Sequence, residues 1–276
     1  MKKIATALVC LFAAAGINAQ VKMPAPSPTQ TLTQDFALGT IEVKYSRPAA
    51  KGRKVYGDLV PFNKLWRTGA NAATLIKFTD AVEVQGKRID TGSYVLYTIP
   101  GTDSWEVILN KGLTNWGIDG YKSAEDVVRF KVKPTAVGKK VENFTMQFSD
   151  IKPESCNLDI VWENTSISIP FNATIKERMR AQLMDAMQAD KKPNWAAAQF
   201  YFEYDNNPAK ALEYATAATK DNPKAFWVWL YKAKIEQRLG NKVAAMESSK
   251  TSWTLAKEAN NDDYVKMNEE LQKKLK

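Results

Sequence analysis

The 276-residue chain contains no histidine. That absence removes the commonest general base, the Ser-His-Asp and Cys-His nucleophile pairs, and most zinc sites. Cysteine is nearly absent too, with only Cys10 and Cys156. Cys10 falls in an N-terminal apolar segment that reads as removable, and a lone Cys156 cannot form an internal disulfide. A disulfide-stapled scaffold is therefore excluded. Cys156 sits in Glu154-Ser155-Cys156-Asn157. No thiolate-stabilising neighbour is in view there, so it reads as a half-buried structural thiol. Phosphate-cradling loops of the G-x-x-x-x-G-K-[ST] and G-x-G-x-x-G types are missing. The stretch Asp119 to Asp126 has too few acidic ligands for a hard-cation loop. No cofactor and no metal is expected.

What is present is a globular composition, 45% hydrophobic and 25% charged, with the length of one large or two modest domains. Residues 1–19 read as a secretory signal peptide: Lys2 and Lys3, an apolar run from Ile4 to Ala15, then Gly16-Ile17-Asn18-Ala19 before Gln20. The run is shorter than the roughly 20 residues a spanning helix needs. A lipid anchor at Cys10 is disfavoured by Val9, where a small residue is expected. The protein is expected to be exported, periplasmic or secreted, and not membrane-spanning after cleavage. The remaining chain carries 37 basic and 30 acidic side chains. The excess is spread over residues 20–172 (19 basic, 16 acidic) and 173–276 (18 basic, 14 acidic). With no basic run and an exported address, nucleic acid is not an expected partner. Anionic envelope polymers or lipid headgroups can be attracted weakly.

Residues 20–29, with three prolines, read as an extended leader. From 30 to 172 the pattern is short β-rich runs broken by turns: Ile41–Tyr45, Val82–Val84 with a turn at 85–88, Ser93–Ile99, Trp105–Leu109, Val127–Val132, Phe144–Phe148, Leu158–Trp162 and Ile167–Ile169. No crossover helix separates them. An antiparallel β-sandwich, or a barrel-like variant of it, is expected. From 173 to 276 the residues are helix formers punctuated by Pro193, Pro208 and Pro223. Helices are expected at 173–190, 193–204, 208–220, 224–239, 241–259 and 262–275. The fold class is thus α+β in two domains, sandwich first and helices second.

The helices repeat with a period of 34. Trp195 and Trp229 are 34 apart, as are Ala211 and Ala245, with Pro223, Ala233 and Gly240 at the intervening positions of a tetratricopeptide register. Small residues there let two helices approach closely, and the aromatic fills the gap beside them. Gln199 departs from the register. A generic antiparallel bundle is the alternative.

Three groups of residues can carry binding. The loop-rich stretch 45–71 holds Arg47, Arg53 and Arg67, able to grip a carboxylate or phosphate bidentately. It also holds Tyr56 and Trp66, able to stack on a ring or sugar face, and Asn71. The plainer reading is that Trp66 packs the core and the arginines tie down loops. Trp116, in the Gly/Asn-rich run 110–117, is either a ligand platform or a lid on one end of the sandwich. Trp227 and Tyr231, four apart, share a helix face that is either packed or a protein-docking surface. Paired carboxylates are the common hydrolytic scheme that needs no histidine. Asp58, Asp119, Glu125 and Asp126 are at hand for it, although loop carboxylates are usually solvated.

The wording Ser46-Arg47-Pro48 with Lys51-Gly52-Arg53, then Gly57-Asp58-Leu59-Val60-Pro61, then Trp66-Arg67-Thr68-Gly69-Ala70-Asn71, resembles an exported bacterial family catalogued as domain of unknown function 2911. The resemblance covers roughly residues 25–170. It implies an exported β-rich domain and assigns no reaction. The C-terminal half resembles tetratricopeptide repeats, which implies a groove for a protein partner. The function expected is therefore an exported, non-enzymatic binding or adaptor protein. Its β-domain takes a glycan, an anionic envelope ligand or another small molecule, and its helices take a protein. A carboxylate-dependent, carbohydrate-active hydrolase and a purely structural envelope protein are the alternatives.

Overall fold

The computed structural model of the protein describes residues 23–276. The expected signal segment 1–19 lies outside the described residues, as do residues 20–22 of the leader. Two antiparallel sheets occupy the first part of the chain. One has six strands in the order β1-β2-β3-β6-β7-β8: β1 (Thr29–Phe36), β2 (Gly39–Ser46), β3 (Thr74–Phe78), β6 (Gly92–Ile99), β7 (Trp105–Asn110) and β8 (Asp126–Val132). The other has four in the order β5-β4-β10-β9: β4 (Val82–Val84), β5 (Lys87–Ile89), β9 (Thr135–Lys152) and β10 (Ser155–Asn172).

Period-two alternation explains the packing. In β2, Ile41, Val43 and Tyr45 are buried while Lys44 faces out. In β10, Leu158, Ile160 and Trp162 turn inward, and Ile167, Ile169 and Phe171 continue the same face after an irregularity at Glu163. The buried residues of both strands belong to one shared core. The Tyr45 hydroxyl crosses the layers, donating to Gln30 (2.8 Å) and accepting from the Met146 N–H (2.9 Å).

Three strands were not anticipated. β1 reads TQTLTQDF and alternates half-buried with exposed residues, as suits an edge strand with little apolar content. β3 is five residues long. β5 follows a two-residue turn at Gln85-Gly86, both at positive φ, which pairs Val84 with Lys87. The two separate β-runs expected on either side of residue 163 are one 18-residue strand.

Six helices follow: α1 (Lys176–Ala186), α2 (Asn194–Gln199), α3 (Pro208–Asp221), α4 (Phe226–Arg238), α5 (Lys242–Glu258) and α6 (Asp262–Leu275). A π-helical turn over Phe200–Tyr204 extends α2. From α2 on, each helix packs on the next. Ala211, Ala233 and Ala245, the small residues of the expected register, are fully buried. No helix among the described residues is long and apolar enough to cross a membrane.

The two parts are joined by packing as well as by chain. Ala173 and Ile175 are buried in the sandwich core, and Met179 and Tyr204 touch both that core and the helical one. Arg178 on α1 forms a two-armed pair with Asp80 between β3 and β4, and this holds the Asp80 carboxyl below its usual pKa.

Candidate functional site

A cleft of about 480 Å³ opens at one end of the sandwich. Five of the seven ligand candidates line it: Arg53, Trp66, Arg67, Asn71 and Trp116. Ser27 and Trp162 join them, and no Asp or Glu is among its lining residues.

The floor is aromatic. Trp66 and Trp162 stack with centroids 6.1 Å apart and planes 18° from parallel. Tyr56, Trp105 and Phe144 meet the Trp66 ring edge-on at 5.2–6.3 Å. Both tryptophans are almost wholly buried. Trp66 is thus core and cleft floor at once, which merges the two readings its sequence left open.

The loop that carries the floor is an excursion from the six-stranded sheet. Trp66 exchanges backbone hydrogen bonds with Thr98 just past the end of β3's pairing with β6, and Thr74 returns the chain to Leu96. Between them Thr68 (φ 53°), Gly69 (φ 153°) and Asn71 (φ 58°) lie in the left-handed region. A β-branched residue there is strained. Thr68 is held by the buried Thr98 hydroxyl (3.0 Å) and by Thr74, whose hydroxyl donates to the Thr68 carbonyl (2.6 Å). Gly69 leaves little room for a side chain: a Cβ would lie 3.1 Å from the Ser46 carbonyl oxygen. Its own carbonyl accepts the Trp66 indole N–H (3.0 Å).

Two arginines supply charge. Arg53 folds back on its own turn, donating to the Ala50 and Ala49 carbonyls (2.9 and 2.8 Å). Arg67 donates from Nη1 to the Asn71 carbonyl (3.0 Å). Neither has a carboxylate partner among the described residues. Each keeps guanidinium N–H groups without a protein acceptor there. Gly117 lies directly on Arg67, where a Cβ would come within 2.7 Å of Nη1. That contact brings the Trp116 loop to the cleft, and Trp116 itself is 66% exposed.

The remaining candidates lie elsewhere. Arg47 reaches across to β9, donating to the Phe144 carbonyl (3.1 Å) and the Thr145 hydroxyl (2.9 Å). It stitches the corner where the chain passes from one sheet to the other. Tyr56 is buried beside Trp105 and lines a separate cavity of about 200 Å³. Its hydroxyl has no hydrogen-bond partner among the described residues. Burial, then the Glu163 carboxylate, pushes its pKa up. Tyr231 packs edge-on against Trp195 and Phe202 and donates to Glu203 (2.7 Å), whereas Trp227 is 39% exposed. Of the four loop carboxylates, Asp126 is bound by Tyr121, Asn110 and Arg129, and Glu125 faces Lys122. Asp58 and Asp119 are exposed. Cys156 is fully buried, and burial pushes its thiol up to about 11.

Sequence reasoning missed Trp162, because its alternation fits a strand interior, and Ser27, because it sits in a proline-rich leader. The stacking of Trp162 on Trp66 depends on the two sheets meeting, which no local pattern encodes.

The family model described as a protein of unknown function (DUF2911) matches residues 27–171. The chain belongs to that family. The match spans both sheets, save for Asn172 at the end of β10, and every residue lining the cleft. No curated protein and no solved structure matches the chain.

The helical half has its own groove, of about 660 Å³. Phe202, in the middle of the α2 extension, together with α4 and α6 lines it. Lys234, Arg238 and Lys274 face a single carboxylate, Glu270, around Met267 and Leu271. No residue of the β-domain lines it.

Proposed function

We propose that this is an exported, non-enzymatic binding and adaptor protein. Its β-domain cleft holds an anionic envelope component or small ligand, and its helical half holds a protein partner. The observation that carries the reading is the convergence of Arg53, Arg67, Asn71, Trp66 and Trp116 on one cleft. A carboxylate, uronate or phosphate is gripped by the guanidinium N–H groups that lack protein acceptors. The flat or apolar face of the ligand lies against Trp116 over the tryptophan floor. The glycine and threonine geometry of residues 68–71 pre-forms the site, so little ordering cost falls on binding.

The hydrolase alternative needs two carboxylates facing across a cleft, and the cleft lining has none to support it. For the helical half, support comes from the 34-residue spacing of Trp195 with Trp229 and Ala211 with Ala245. The buried alanines and the open basic groove add to it. A tetratricopeptide-like array presents such a groove to an extended, acidic peptide segment.

The test is thermal stabilisation of the chain beginning at Gln20 by glucuronate, glycerol phosphate and inorganic phosphate, compared with Arg53→Gln/Arg67→Gln. The proposal expects at least one anion to raise the melting temperature of the wild type alone. Equal response, or no response to any of them, counts against the β-domain reading. Cross-linked capture with Lys234→Glu/Arg238→Glu tests the helical half: a partner retained unchanged by that variant counts against the groove.

A further inference from the structure

The Trp116 loop carries more apolar surface than a ligand wall needs. Leu113 is 49% exposed, Trp116 66% and Ile118 45%, all within six residues. Leu59, on the segment that supplies Val60 to the cleft, is 39% exposed and also lines it. Large apolar side chains therefore stand on both rims of a cationic cleft. The charged residues that line the cleft are Arg53 and Arg67, with no carboxylate among its lining.

Part of the loop backbone is paired. Lys111 donates to Glu125, Leu113 to Lys111, Asn115 to Gly112, Asp119 to Trp116 and Tyr121 to Ile118. The Asn110 side chain accepts from Gly112 (2.8 Å), and Asn115 donates to the Tyr97 hydroxyl (3.2 Å). A tryptophan flanked by aliphatic side chains and basic residues is the composition that settles at a membrane interface.

We infer that the 111–121 loop seats on an anionic lipid surface, with Leu113, Trp116 and Ile118 at the acyl boundary and a lipid phosphate between Arg53 and Arg67. This deepens the proposed ligand of the same cleft and rests on it. An anionic amphiphile satisfies both halves of the surface: the guanidinium N–H groups left over by Arg53 and Arg67 take the headgroup, and the exposed apolar rim takes the region beneath it. Attraction to the surface is electrostatic and falls with salt.

The test is sedimentation of the chain beginning at Gln20 with phosphatidylglycerol/phosphatidylcholine vesicles, against phosphatidylcholine alone. Leu113→Ser/Ile118→Ser changes only exposed side chains that do not line the cleft. It is expected to lower partitioning by at least ~10-fold while leaving stabilisation by soluble glycerol phosphate intact. Arg53→Gln/Arg67→Gln is expected to lose both. Wild-type binding that does not exceed that to neutral vesicles, or that survives Leu113→Ser/Ile118→Ser unchanged, overturns the membrane inference. If soluble anions still stabilise the protein in that case, the ligand cleft stands without the lipid surface. If the arginine variant matches the wild type in both assays, both readings fall.

Discussion

Trp66 and Trp162 lie nearly parallel, 6.1 Å apart, one from the loop after β2 and one from the middle of β10. The stack ties the excursion that shapes the cleft to the opposite sheet. Its two rings are at once the end of the core and the floor of the cleft. Trp162→Ala should cost about 3–5 kcal/mol in denaturant unfolding, as for other buried large-to-small changes. Trp116→Ala, at the same cleft but exposed, should change stability by less than about 0.5 kcal/mol. Equal costs at the two positions would contradict this division.

Gly117 and Arg67 form the second coupling. A methyl at residue 117 meets the guanidinium at 2.7 Å and sits at φ 63°. Gly117→Ala should cost about 1–3 kcal/mol and weaken anion-induced stabilisation as well. Gly52→Ala is the control. It also lies at positive φ, but open space surrounds it. It should carry the strain cost without the loss of ligand response, read in the same melting assay.

The Arg178–Asp80 pair ties the first helix to the sheet and predicts a pH dependence. The Asp80 carboxyl is held below its ordinary value by the Arg178 hydrogen bonds. A depressed folded pKa adds stability that is present above the unfolded value near ~3.9 and lost as pH falls through the folded one. Asp80→Asn should therefore be about 1 kcal/mol less stable than the wild type at pH 7. The gap should narrow as pH falls below the unfolded value and close once pH is under the depressed folded one. Urea midpoints across that range measure it, and a constant gap would assign the effect to something other than ionisation.

Cys156 gives a chemical check on the core. Its thiol is buried and pushed up to about 11. In the chain beginning at Gln20 it should resist a disulfide reagent at pH 8 while folded and react fully on unfolding. Fast native-state reaction would mean that β10 opens locally.

The six helices were legible, and from Pro208 on their limits too, because 3.6-residue periodicity and proline punctuation are local signals; the first, expected at 173–190, runs only from Lys176 to Ala186. The strands were legible where apolar alternation is strong, as in Ile41-Glu42-Val43. They were missed where the edge is polar, as in Thr29–Phe36. β9 was found only around Phe144 and Met146, since its first half buries little. The π-helical turn at Phe200–Tyr204 had no signature beyond Gln199's departure from the repeat. It lies where Arg180 and Lys176 of α1 both grip Asp205, a tertiary demand that the sequence window does not carry. The cleft was half legible. Arg53, Trp66, Arg67 and Asn71 crowd one short stretch of chain and announce a loop cluster. The arrival of Trp116 depends on Gly117 resting on Arg67. Arg47 and Tyr56, equally prominent in that stretch, are turned to a sheet corner and to the core.

The central claim is that Arg53 and Arg67 make the cleft an anion site. Calorimetric titration with glycerol phosphate at low ionic strength tests it most directly, using wild type, Arg53→Gln/Arg67→Gln and Trp116→Ala. The account predicts saturable binding by the wild type, abolished in the arginine variant and weakened in Trp116→Ala, with all three chains folded by circular dichroism. Binding that is unchanged when both arginines are replaced would contradict it.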